Sequence, residues 1–186
     1  MVSEVGIINR ALTKLGGEPI LSRTDDSKRA RTANRHYDDT RDLALAAHPW
    51  NFAIRRAVIG ASATPPAWGY ANAFPLPVDC LRLIEIDGVD LFQVEGRDIL
   101  ADATGPLRLR YIARVTDTAQ FAPAFVDSFA TLLAAEIAFD LTGSRSLSES
   151  LRTSFERGLP GARNADAQEG AGPPPDDEGS WLGARH

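Results

Sequence analysis

Apolar residues at helical spacing predict two helices at the start of the chain. The first has them at every third or fourth position: Val5, Ile8, Leu12 and Leu15. Ser3 precedes this run as a helix cap. The pair Gly16-Gly17 ends it, because glycine adopts the left-handed conformation of a helix C-terminus without a steric cost.

The second predicted helix begins after Thr24-Asp25-Asp26 and runs to about Ala47. Acidic residues at its start interact favourably with the positive end of the helix dipole. Its buried stripe is narrow and made mostly of alanine: Ala30, Ala33, Tyr37, Ala44 and Ala47. Small side chains at these positions allow another helix to approach closely.

Residues 51–115 have a different pattern, which predicts a small antiparallel β region. Prolines exclude long helices from its first half. Turn sequences such as Asp87-Gly88 separate short runs with strand character, at residues 81–86, 90–94, 98–101 and 107–113. The last run alternates leucine with arginine, which is typical of a strand with one face in water.

The pattern returns to helical after residue 115. A third helix at 123–141 is apolar almost all round, including Phe139, so it is predicted to lie at the buried centre. Ser146-Leu147-Ser148-Glu149 matches a capping box and is predicted to open a fourth helix. Beyond Gly161 the periodicity ends in glycines, prolines and acids.

These elements predict an α+β fold. Residues 1–50 and 116–160 form a bundle of about four helices, and 51–115 form a β-rich insertion. Residues 161–186 form an extended acidic tail rich in proline and glycine.

Composition narrows the class of protein. The 186 residues are 44% hydrophobic and 24% charged, as in globular proteins. The single cysteine, Cys80, fits a reducing compartment and is interpreted as a small core residue beside a turn. No segment is long and apolar enough to cross a membrane, and the first residues do not resemble a signal peptide.

Charge and motifs argue against several chemistries. The net charge is −5, and residues 161–186 carry −3 of it. A faintly acidic body is poorly suited to tight phosphate binding. The sequence lacks a phosphate-binding loop, an H-E-x-x-H pair and a C-x-x-C pair. With histidines only at 36, 48 and 186, neither a metal nor another cofactor is expected.

The stretch His48-Pro49-Trp50-Asn51-Phe52-Ala53 has two interpretations. His48 beside Trp50 suggests a catalytic base against an aromatic wall. Alternatively, Pro49 ends the second helix, and Trp50 and Phe52 enter the core as the start of a strand. The second interpretation explains every residue, whereas no catalytic partner for His48 is identifiable. We therefore predict a structural corner at His48, Pro49, Trp50 and Phe52.

Two stretches resemble signatures of the tail tubular protein A family of tailed bacteriophages. The first comprises Ile8-Asn9-Arg10-Ala11-Leu12, Leu15-Gly16, Tyr37, Arg41, the 48–53 stretch and Arg56. The second comprises Trp68-Gly69-Tyr70-Ala71 followed by Leu76-Pro77-Val78-Asp79-Cys80-Leu81-Arg82. The similarity covers about residues 3–155 in the same order. Residues 71–75 depart from the usual spacing, and the tail belongs to no signature of the family.

This resemblance implies a structural head–tail adaptor and not an enzyme. Such proteins form a dodecameric ring under the portal, extend the DNA channel and dock the next tail or nozzle component. The expected partners are therefore other copies of the chain, the portal protein and the downstream tail protein. Genomic DNA would pass without specific binding, and no membrane is involved. The expected location is the virion neck, after assembly in the host cytoplasm.

Two sets of residues are candidates for assembly contacts. The second helix carries five acidic and five basic residues between Asp25 and Asp42. Its charges at Arg31, Arg35, Asp38, Asp39 and Asp42 are candidates for lateral contacts between subunits, with an ordinary solvated face as the alternative. In the tail, Trp181, Leu182 and Arg185 are candidates for portal binding, since tryptophan is a typical interface anchor; the alternatives are a dangling tail or Trp181 folding back on its own subunit.

Two other functions remain open. Glu136 and Asp140 lie four residues apart, so a helix would place both carboxylates on one face, as a cell-wall-degrading enzyme would require. The plainer interpretation is that each meets an arginine such as Arg152 or Arg157, or caps a loop. A DNA-binding regulator would use the basic residues of the second helix: Lys28, Arg29, Arg31 and Arg35.

Overall fold

The computed structural model describes residues 2–168, with side chains described up to residue 161. Within this range four α-helices combine with two small antiparallel sheets of three strands each, which is the α+β fold predicted from sequence. The helices are α1 Glu4–Lys14, α2 Lys28–Ala47, α3 Pro123–Thr142 and α4 Arg145–Gln168. The strands are β1 Ile54–Ile59, β2 Asn72–Pro75, β3 Cys80–Ile86, β4 Gln93–Glu95, β5 Asp98–Ala101 and β6 Leu107–Ala113.

Helix α3 forms the centre of the helical half, packed against α1, α2 and α4. Eleven of its residues are buried, consistent with its nearly uniform apolar sequence. Phe139 is an exception to the sequence prediction. Its side chain is 48% exposed, and the guanidinium of Arg145 lies 5.2 Å from its ring.

Helix α2 begins after Asp26 as predicted, and Ser27 caps it by accepting a 3.2 Å hydrogen bond from the Ala30 N–H. The helix boundaries differ from the sequence prediction in two places. Ser144 accepts from the Leu147 N–H at 3.2 Å, so α4 begins before the predicted capping box. Helix α4 also continues past residue 161 to Gln168 with Pro160 inside it, since the following alanine-rich sequence favours helix. The predicted tail boundary at 161 is therefore wrong.

The strands also correct the sequence prediction. β2 was not expected, β1 starts later than the strand predicted at Trp50 and Phe52, and the strand predicted at 90–94 is replaced by β4. Phe52 lies in a short 3-10 turn, Asn51–Ala53, and the strand begins only at Ile54. The strand orders are β1-β6-β3 and β2-β5-β4.

The fold has two hydrophobic cores joined through β6. Leu107, Leu109 and Tyr111 pack into a core shared by the two sheets. Ile112 has the opposite orientation and is fully buried in the helical core. The alternation of this strand therefore connects the β region to the helices.

The side-chain amide of Asn9 fixes the segment between α1 and α2. Its Nδ2 donates to the carbonyl of Ile20 at 2.9 Å, and its Oδ1 accepts from the Ile20 N–H at 2.8 Å. These two bonds hold the backbone as a neighbouring strand would. Arg23 adds an ion pair to Glu4 at 2.7 Å and lies over the ring of Tyr37.

Candidate functional site

The 48–53 stretch forms a sharp corner at the end of α2. His48 caps the helix in an extended conformation (φ −143°, ψ 144°), as expected for the residue before proline. The Trp50 N–H donates to the His48 carbonyl at 2.9 Å, across Pro49. The indole Nε1 of Trp50 donates back to the Ala44 carbonyl at 3.0 Å, which satisfies one of the free carbonyls of the last helical turn.

Trp50 is fully buried and belongs to an aromatic cluster in the helical core. Phe125 lies at the centre of this cluster, with ring centroids 5.2 Å from Trp50, 5.2 Å from Phe52 and 4.8 Å from Phe121. Most of these pairs are edge-to-face, an arrangement that stabilises the fold more than the burial of the rings alone. The ring of His48 meets the Trp50 ring edge-on at 4.8 Å. The corner thus fixes the end of α2 and the start of β1 onto α3.

A cluster of four charged residues joins α2 to the end of β6. Arg41, with only 7% of its side chain exposed, donates to Asp38 at 2.7 Å and to Asp42 at 3.0 and 2.8 Å. Asp42 also accepts from Arg114 at 2.6 Å. We call these residues the Arg41 cluster. Nothing near Arg41 in the sequence identifies Arg114, because the two meet only through the fold.

The Arg41 cluster changes the set of residues available for lateral contacts. Asp38 and Asp42 already bind Arg41 within the chain, and Arg31 forms an exposed ion pair with Asp26. Arg35 and Asp39 are exposed and have no ion-pair partner among residues 2–161. These two are therefore the predicted lateral residues whose charges are unmatched within the described chain.

The Leu76–Arg82 stretch forms the turn that opens β3. The Cys80 N–H donates to the Pro77 carbonyl at 2.9 Å. Arg97 donates to the carbonyls of Pro77 and Cys80, and the Tyr111 hydroxyl donates to Asp79 at 3.2 Å. Cys80 is buried, and this burial raises the pKa of its thiol, which disfavours the reactive thiolate.

The residues proposed for enzyme chemistry have other contacts. Glu136 forms an ion pair with Arg152, one of the two arginines suggested by the sequence. Asp140 meets no arginine in the described chain. Its carboxylate lies 3.8 Å from His36 Nε2, and its carbonyl accepts from Lys28 at 2.6 Å.

Three of the four residues proposed for DNA binding are engaged within the protein. Lys28 binds the Asp140 carbonyl, Arg29 pairs with Glu18 at 2.9 Å, and Arg31 pairs with Asp26. Arg35 alone of the four has neither an ion pair nor a side-chain hydrogen bond in the described part of the chain. A DNA duplex would therefore have to displace the existing partners of three of these four side chains.

Large apolar side chains are exposed on both halves of the molecule. Leu21 (93%) and Leu43 lie in the helical half. In the β region the most exposed are Trp68 (87%), Val78 (90%) and Leu91, each on a connection between strands. In the sequence, Trp68 and Val78 stand out only as parts of a resemblance, because side-chain exposure on a loop has no sequence periodicity.

The predicted portal-binding residues, Trp181, Leu182 and Arg185, lie outside the residues that the structure describes. Among the described residues, no group of three histidine, cysteine or acidic side chains is arranged to hold a metal ion. No helix in the same range is long and apolar enough to span a membrane.

No model of a known protein family matches this chain, and no curated protein matches it significantly.

Proposed function

We propose that this protein is a structural head–tail adaptor of a tailed bacteriophage. In this role it assembles as a ring of about twelve copies under the portal, extends the DNA channel and docks the next tail component. The proposal rests on the resemblance described above, together with the way in which the resembling residues are used in the fold.

One observation carries the proposal: the two resembling stretches are both built into structural joints. Trp50 fixes the junction of α2 with β1, and the turn at Pro77–Cys80 fixes the start of β3. Residues with this role make a rigid subunit, which is what a ring that withstands DNA passage requires. The same residues are poorly placed for catalysis, since their backbone polar groups form hydrogen bonds within the fold.

The exposed apolar side chains and unpaired charges support a protein that binds other subunits. Leu21, Trp68 and Val78 leave most of their apolar surface in water, at sites in both halves of the molecule. A partner that covered Trp68 would bury a residue type that is a typical interface anchor. Arg35 and Asp39 provide the unmatched charges for the lateral contacts of a ring.

The tail is assigned to portal binding within this proposal. Residues 176–178 are acidic, and Trp181 with Leu182 follows close to the end of the chain. A tryptophan at the end of a tether is a suitable anchor for a groove on another protein.

Deleting residues 171–186 is expected to weaken attachment to the portal protein of the same genome by at least about tenfold, because a central aromatic anchor contributes roughly 2 kcal/mol or more to an interface. The measurement is sedimentation of the adaptor with purified portal at increasing concentration. A Trp181→Ala, Leu182→Ala variant is expected to reproduce most of the loss, whereas Trp68→Ala should leave the tail contact intact. Full binding by the truncated chain, with its circular dichroism spectrum unchanged, would rule out the tail as the portal anchor.

A further inference from the structure

An open groove of about 330 Å³ lies on the outer face of the β1-β6-β3 sheet. Arg56 and Val58 of β1 share this face, directly opposite Arg110 and Arg108 of β6. Farther along the same face, Ile112 is covered by the helical core. The groove is thus the uncovered end of a sheet face whose other end is buried.

The groove has an excess of positive charge. Arg110 pairs with Glu85 at 2.9 Å, and Arg108 lies 3.5 Å from Asp87 with both side chains largely exposed. Arg56 faces Arg110 across the strand pair and has no ion-pair partner in the described chain. Like charges directly opposite one another destabilise a sheet, so a bound anion would relieve this arrangement.

The C-terminal segment has the complementary chemistry. Pro173-Pro174-Pro175 precedes Asp176-Asp177-Glu178, and Trp181-Leu182 follows. Consecutive prolines favour an extended backbone, which suits an open groove on a sheet. Val58 gives the groove an apolar side chain that is 66% exposed. Acidic and apolar groups of one segment therefore match basic and apolar groups of one surface.

The path of α4 carries the chain back towards the end of α3 that follows the sheet. Ser148 donates to the Ala135 carbonyl, and Arg152 pairs with Glu136, so α4 runs back along α3 towards Pro123. Pro123 lies ten residues after Ala113, the last residue of β6. The seven residues 169–175 span roughly 20 Å in an extended conformation, at about 3.1 Å per residue. A second basic pocket, beside Arg35 and Asp140, lies at the opposite end of α3 from Pro123.

We propose that the groove around Arg56 binds the acidic C-terminal segment of the same chain, with Asp176–Glu178 against the arginines and Trp181 or Leu182 against Val58. This contact belongs to the free protein. Its biological meaning rests on the proposed function: the groove holds the tail until the portal displaces it, which limits unproductive contacts between free copies.

Disulfide trapping in the full-length chain tests the contact without portal. The variant Val58→Cys, Gly179→Cys retains all three arginines, and the native Cys80 is buried and reacts slowly. Mild oxidation is expected to give an intramolecular disulfide, seen as a faster band on a non-reducing gel and as a linked peptide by mass spectrometry. Adding Arg56→Glu and Arg108→Glu is expected to slow trapping about tenfold, because several partly exposed charge contacts are lost.

Arg35→Glu in the same cysteine background is the matched control, since it reverses an exposed charge on α2 at the other basic pocket. It is expected to leave the trapping rate unchanged. Equal rates in the two charge-reversed backgrounds, or a disulfide that links two chains, would overturn the proposal. Because portal is absent, this result is independent of whether the protein is an adaptor.

Discussion

Replacing Trp50 by alanine is expected to lower the free energy of unfolding by about 3–5 kcal/mol. The side chain is fully buried, packs edge-to-face on Phe125 and donates its indole N–H to the Ala44 carbonyl. Alanine would leave a large cavity in the aromatic cluster and an unsatisfied carbonyl at the end of α2. Both losses act on the junction between the helices and the first sheet.

Trp68→Ala is the matched control for this experiment. It removes the same side chain from a position that is 87% exposed, so its effect should stay within about 0.5 kcal/mol. Urea unfolding followed by far-ultraviolet circular dichroism measures both variants without depending on tryptophan fluorescence. Similar stability losses in the two variants would contradict the structural role assigned to the corner.

Replacing Arg41 by alanine is expected to lower the free energy of unfolding by about 2 kcal/mol. Breaking a fully buried ion pair typically costs roughly 3–5 kcal/mol, because the remaining charge is left without a partner in a poorly solvated site. Here the loss is smaller, since Asp38 is 63% exposed and Asp42 keeps its bond to Arg114. The variant would loosen the contact of α2 with the end of β6.

Arg31→Ala provides the comparison for Arg41. It breaks an ion pair on the same helix whose two side chains are 60% and 94% exposed. Exposed pairs contribute about 0–1 kcal/mol, so little change is expected in the same urea titration. If Arg31→Ala destabilised the protein as much as Arg41→Ala, burial would not be the cause of the effect.

Local patterns predicted the helices well, because their signals lie within a few residues of one another. Ser3 caps α1 through a 3.1 Å bond from the Gly6 N–H, and Gly143 ends α3 in the left-handed conformation. The acids Asp25 and Asp26 likewise precede α2, which begins at Lys28.

The strands were harder to predict because their partners are distant in sequence. Ile54-Arg55-Arg56-Ala57-Val58-Ile59 does not alternate cleanly, and it becomes β1 by pairing with β6 some fifty residues later. β2 is similarly defined by its pairing with β5. The alternation in β6 itself was clear, and Arg108 and Arg110 do line the outer face.

The candidate site was predictable only in part. The 48–53 stretch identified Trp50 and Phe52. Their contacts with Phe121 and Phe125 could not be predicted, because these residues are distant in sequence and meet only in the folded chain. The charges of α2 were visible, but which of them remain unmatched depended on Arg114 and on the path of α3. The positive groove around Arg56 combines three strands and has no signature in any one of them.

Electron microscopy of the protein bound to purified portal tests the central claim most directly. If the chain is a head–tail adaptor, averaged images will show one added ring below the portal with about twelve copies and an open central channel. Finding only separate monomers beside an unchanged portal, over a range of concentrations at which the protein is folded, would contradict the assignment.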